Sequence, residues 1–145
     1  MLKITQEIID EMVRHSRSEA PVEACGYLAE KDGVVCRCLT MKNIDVSPVH
    51  YSMDPAQQFA AVRSCRAEGM TVRGVYHSHP ETSAYPSAED IRLAYDPALS
   101  YVIVSLAESP PCINSFIIQN DKVFLEGIEI IAGIEKSTMR TGIAS

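Results

Sequence analysis

Residues 71–90 read TVRGVYHSHPETSAYPSAED, and the architecture of the chain follows from them. Thr71 to Ser78 is a strand-like run that Gly69 precedes and Pro80 ends. Pro80 to Pro86 reads as a loop. Ser87 to Tyr95 reads as a short helix with Asp90 in its first turn. If the strand runs through to His79, His77 and His79 lie two apart, so both imidazoles leave its end on the same face. The loop is long enough to fold back and set the Asp90 carboxylate beside them. Two His and one carboxylate with an open fourth position is the donor set of a catalytic rather than a structural zinc.

Each residue also has a plainer reading. Ser87 with Asp90 resembles a capping box, and Asp90 would stabilise its helix through the macrodipole. Two of four histidines could fall together by chance. What favours the metal site is that ligand spacing and strand-to-helix context agree. His15 and His50 read as ordinary surface residues.

Upstream, Ile4, Ile8 and Met12 form an apolar stripe at helical spacing, so a helix is expected from Thr5 to Glu19, capped by Thr5 and stopped by Pro21. Glu23 to Leu28 and Val34 to Met41 read as a strand hairpin turning at Glu30-Lys31-Asp32-Gly33. Asn43 to Met53 is a loop or short strand. Asp54-Pro55 opens a second helix that Gly69 stops. Downstream, Tyr101 to Leu106 suits a strand buried on both faces. Ile113 to Gln119 and Val123 to Ile131 make a last hairpin around Asn120-Asp121. The polar tail, residues 136–145, is expected to fray. This order predicts an α/β (α+β) fold, one domain over residues 1–145, with helices packed on a mixed sheet.

Composition narrows the function. The chain has 145 residues, a net charge of −6 and 46% hydrophobic residues, which excludes a disordered or low-complexity chain. Its basic residues are scattered, which argues against nucleic acid and against a membrane surface. The N-terminus has no signal-peptide pattern. Five cysteines without a CxxC pair exclude a zinc ribbon and point to a reduced, cytoplasmic protein. Cys36 and Cys38 are expected as small buried hydrophobes on one strand face. A cupin-type oxygenase would need a further His, and none follows His79. A zinc deaminase would need HxE and PCxxC, which are absent. Cys25 as a nucleophile is outweighed by a buried strand position. Glu23, in Pro21-Val22-Glu23-Ala24-Cys25-Gly26, would by itself be a solvated strand end, but a hydrolytic zinc also needs a base.

Glu23, then His77-Ser78-His79-Pro80, then Ser87-Ala88-Glu89-Asp90 resembles the JAMM (MPN-plus) metalloproteases. The context around Glu23 and the short chain look most like the small prokaryotic members. The resemblance implies an MPN-like, partly closed mixed sheet flanked by helices, akin to the cytidine-deaminase architecture. It implies one Zn2+ per chain held by His77, His79 and Asp90. It implies Glu23 as general base and Ser87 as a donor to the tetrahedral oxyanion. The expected substrate is a ubiquitin-like sulfur-carrier protein, cut at the amide after its Gly-Gly tail. The alternatives are a deubiquitinase-like isopeptidase on other ubiquitin-fold conjugates and a non-catalytic MPN-type scaffold. A homodimer is compatible with either.

Overall fold

Thr5 ends one element and caps the next. The computed structural model describes residues 1–132. In it β1 spans Leu2–Thr5 and α1 spans Gln6–Glu19. The Thr5 hydroxyl accepts the Ile8 N–H, satisfying one of the helix's orphan donors. Ile8, Met12 and Ser16 are the buried face of α1. The stripe read from Ile4 to Met12 therefore spans two elements. β1 itself was not expected, because four residues are too few to display an alternation.

β2 (Cys25–Lys31) and β3 (Val34–Met41) form the hairpin, turning at Asp32-Gly33, both with positive φ as a two-residue turn requires. The hairpin carries a register shift: Ala29 faces Arg37, but Glu30 faces Val35. This bulge breaks the alternation at Cys36. Cys36 is exposed and Cys38 half-buried, which corrects the expectation that both are buried. α2 (Pro55–Ala67) starts on the Asp54 cap, whose carboxylate accepts the Ala56 N–H. β4 is Thr71–His79, and α3 is Ala88–Arg92, shorter than expected. Asp96-Pro97 lies just beyond, and a residue before proline is pushed out of helical geometry.

β5 (Ser100–Ser105), β6 (Cys112–Gln119) and β7 (Lys122–Glu126) complete an antiparallel edge, with β5 parallel to β4. The arm expected to run from Val123 to Ile131 is two strands. Gly127 ends β7, and β8 (Ile128–Ile131) pairs parallel with β1. The sheet order is β7-β6-β5-β4-β2-β3-β1-β8. Gly127 alone links strands at opposite ends of that order, and its carbonyl accepts the Leu2 N–H at 2.8 Å. The sheet therefore curls until its ends meet at this corner. The mixed, partly closed sheet with helices is the expected class. The tail residues 136–145 lie outside the described residues.

One sheet face packs Leu2, Leu28, Val35, Tyr76 and Val102 against Ile8 and Met12 of α1. The other packs Cys25, Met41 and Val75 against Ala61 of α2 and Met53 just before that helix. Tyr76 is fully buried because Gly26 opposite it has no side chain. A Cβ there would lie 2.5 Å from the Tyr76 ring. The Tyr76 hydroxyl hydrogen-bonds His15 Nδ1 at 2.7 Å, so His15 is a half-buried core partner rather than a plain surface residue. Along β4, Tyr76 and Ser78 face α1, while Val75, His77 and His79 face the α2 side.

Candidate functional site

The alternation along β4 delivers His77 and His79 to one place, and both are buried. The loop after His79 is tied down rather than loose. The Ser105 hydroxyl donates to the Thr82 carbonyl at 2.6 Å, and Asn114 Nδ2 donates to the Ala84 carbonyl at 3.0 Å. These anchors aim α3 at the end of β4. There Ser87 and Asp90 form a full capping box. The Ser87 hydroxyl accepts the Asp90 N–H at 3.0 Å, and Asp90 Oδ2 accepts the Ser87 N–H at 2.9 Å.

Asp90 Oδ2 lies 3.1 Å from His77 Nε2 and 3.1 Å from His79 Nε2, and those two nitrogens are 3.1 Å apart. The capping and ligand readings of Asp90 are thus compatible in one side chain. His79 Nδ1 is 2.8 Å from the Ser83 carbonyl and donates its proton there, so in the neutral ring the lone pair falls on Nε2, the nitrogen that meets the trio. The donors of a tetrahedral zinc, each about 2.0–2.1 Å from the ion, sit about 3.3–3.4 Å from one another. The observed triangle is close to that spacing, and two imidazole nitrogens with one carboxylate oxygen are a zinc donor set. Among the described residues this trio is the one cluster of three or more His, Cys, Asp or Glu with converging ligand atoms. The residues therefore fit a zinc ion.

The electrostatics of the trio are strongly biased. Burial by itself would raise the Asp90 carboxyl, but hydrogen bonds from His77 and His79 outweigh it and hold Asp90 well below the usual carboxylate range. Burial would lower His79, yet Asp90 and the Ser83 carbonyl hold it above its ordinary value.

Glu23 lies just before β2. Cys25 pairs with His77 in the β2–β4 ladder, and continuing that register sets Glu23 opposite His79. Ala24 and Ser78 clamp the approach: the Ser78 hydroxyl accepts the Ala24 N–H at 2.8 Å, and the Ser78 N–H reaches the Ala24 carbonyl at 3.0 Å. On the other side, the Glu23 N–H donates to the Ser47 carbonyl at 2.9 Å, and Asn43 Nδ2 donates to the Glu23 carbonyl at 3.1 Å. Glu23 is only 3% exposed, so the solvated-strand-end reading is corrected. Its Oε1 is buried without a hydrogen-bond partner, a costly arrangement in a protein interior. Desolvation pushes its carboxyl up to about 8, with His79 opposing and Asp90 and Glu89 adding to the rise. Such a group can take up and release a proton near neutral pH.

With metal chelated, the folded chain keeps the Glu23 proton up to about pH 8, whereas an ordinary glutamate releases it near 4.5. Folding then binds a proton between those values, so stability falls as pH rises through that window. Urea melts of the chelated protein are expected to show wild type losing stability relative to Glu23→Gln between about pH 5.5 and about pH 8.5. Parallel pH profiles for the two proteins would contradict a buried, proton-holding Glu23.

The structure thus brings His77, His79, Asp90, Ser87 and Glu23 into one region. Two neighbours escaped the sequence reading. Tyr51 stacks on the His77 ring, centroids 4.8 Å apart at 27°. Asn43 is buried, and its side chain also bonds Ser47, His50, Asp45 and Ser52, so it organises the loop over Glu23. Neither lies in a motif or at a distinctive spacing. His50, expected as an ordinary surface residue, bonds Asp45 at 3.1 Å within that loop.

Comparison with known proteins adds four findings. Residues 5–118 match the family model of prokaryotic homologs of the JAB domain. A CysO-cysteine peptidase of Mycobacterium tuberculosis is 37% identical over 107 residues, covering 72% of this chain and 73% of that one. A desampylase of Haloferax volcanii is 32% identical over 111 residues, covering 72% and 80%. A protein from Desulfitobacterium hafniense, known as a solution structure, is 45% identical with a TM-score of 0.86, covering 94% of this chain and 97% of its own.

Proposed function

This chain belongs to the prokaryotic homologues of the JAB domain, the small prokaryotic branch of the JAMM group, and from that premise we propose a zinc-dependent peptidase of ubiquitin-like sulfur-carrier proteins. It is a hydrolase of peptide or isopeptide bonds. The bond it cuts, on this reading, is the amide that follows the carrier's C-terminal Gly-Gly. The observation that carries the reading is the triangle of His77, His79 and Asp90 donors beside a buried carboxylate oxygen that has no protein partner.

His77, His79 and Asp90 would hold the metal. A zinc ion there would supply Lewis acidity toward a carbonyl and toward bound water. Glu23 takes a proton from the attacking water and delivers it to the leaving amine. The water oxygen bonds the carbonyl carbon, the C–N bond breaks, and a carboxylate and a free amine result. The Ser87 hydroxyl, which accepts from Asp90, keeps its own O–H to donate where negative charge gathers on the carbonyl oxygen. A glycine pair before the scissile bond lets the tail backbone approach donors sunk between the 43–53 and 80–86 loops. The filled donor set disfavours a non-catalytic scaffold. A cytoplasmic setting accords with five cysteines outside any disulfide.

The test is mass spectrometry of a ubiquitin-fold carrier ending in Gly-Gly and one further residue, beside an Ala-Ala version. Cleavage after Gly-Gly, blocked by chelation and restored by zinc, is expected, with the Ala-Ala carrier left largely intact. Equal cleavage of both would overturn the selection for glycine.

A further inference from the structure

A cavity of about 420 Å³ opens directly against the donor trio, with His77 and Asp90 in its wall. That volume falls within the roughly 300–1,000 Å³ of sites that enclose small molecules. Its lining is largely aromatic and aliphatic: Tyr27, Tyr51, Met53, Val75, Leu99 and Tyr101. Tyr51 is both a wall of the cavity and the ring stacked on His77, so whatever fills the cavity lies one ring from the donors. No Lys or Arg lines it. Its acidic groups besides Asp90 are Glu89 and Asp96, and both are engaged elsewhere. Glu89 pairs with Arg92 at 3.5 Å, and Asp96 accepts the Ala98 N–H at 2.9 Å.

We infer that this cavity is the side-chain pocket for the residue released from the carrier, and that it selects a large, uncharged apolar or aromatic residue. The inference rests on the proposed cleavage after Gly-Gly. Two glycines present no side chain, so the acyl side of the bond has nothing to place in a pocket beside the donors. A residue three positions before the bond lies about 10 Å away along an extended tail, too far to enter a pocket that begins at the ligands. The residue that leaves with the amine is attached at the reacting centre itself. An alanine or cysteine side chain would leave most of the cavity wet, whereas Leu, Met or Phe would fill it and remove apolar surface from water. An acidic side chain would give up its hydration to a largely apolar wall that offers no Lys or Arg, so it is disfavoured.

The experiment uses wild-type, zinc-loaded protein and carriers ending Gly-Gly-X, with X as Phe, Leu, Ala or Asp, and reads kcat/KM for each. Phe and Leu are expected to exceed Ala by roughly 10–200-fold, the range that added methylenes give in an apolar pocket. Asp is expected to fall below Ala. A Leu99→Trp variant narrows the cavity without touching the donors. It is expected to lower cleavage of the Phe and Leu carriers more than that of the Ala carrier. Equal cleavage of all four carriers would overturn the pocket assignment and leave the Gly-Gly peptidase intact. Cleavage of none would overturn the peptidase reading itself. The wild-type series decides the matter even if Leu99→Trp fails to fold.

Discussion

Protein carrying His77→Ala and His79→Ala is expected to purify without zinc and to lose all measurable cleavage of a Gly-Gly carrier. On the proposed assignment the two imidazoles are two of the three donors, and Asp90 by itself would be a poor zinc site. Elemental analysis of untagged protein reads the metal, and mass spectrometry of the carrier reads the activity. Because both histidines are buried in β4, their loss also affects folding, so metal removal from wild type is the companion measurement. Zinc that binds only the folded chain stabilises it by mass action, by about 2.7 kcal/mol at a hundred times its dissociation constant. Wild type should therefore melt higher with zinc than with chelator, and the double variant should melt alike in both. Wild-type zinc content in the double variant would remove these residues from the metal site.

Glu23→Gln is expected to lower turnover by roughly 10²–10⁴-fold, the usual contribution of a positioned general base. The substitution keeps nearly the same shape. It leaves His77, His79 and Asp90 in place, so zinc content should match wild type. The pH–rate profile should lose its acid limb, because that limb reports a proton shared between Glu23 and the water it activates. A Glu23→Gln variant that holds zinc and cleaves faster than about half the wild-type rate would take Glu23 out of the mechanism. Read together, the two variants separate holding the metal from moving the proton.

Local signals were the legible part of the fold. Thr5 and Asp54 cap the helices they were expected to cap, since a side-chain acceptor three residues or fewer from its donor needs no distant partner. The Asp32-Gly33 turn, the Val34–Met41 strand and the buried β5 followed from turn chemistry and apolar runs. What failed depended on partners far along the chain. β1 and β8 exist because they pair with each other in parallel, and neither is long enough to show a period. Cys36 faces out because a register shift in β2–β3 turns it, and a bulge has no one-residue signature in this hairpin.

The identity of the candidate donors is a property of the sequence by itself. HxH at a strand end, a proline-bracketed loop and S-x-x-D at a helix start lie within 14 residues, and strand period and capping geometry determine their directions. Tertiary structure alone decided everything that reaches them from elsewhere. Glu23 stands 54 positions before His77, and only the β2–β4 register brings it opposite His79. Its change from an ordinary strand-end carboxylate to a buried one that holds its proton near neutrality comes from the desolvation the folded neighbours impose. Tyr51 and the apolar cavity beside the trio are assembled from six separate stretches of chain. A motif states which atoms can bind; the packing of distant segments decides what they are buried against, and burial sets both the proton affinity and the pocket.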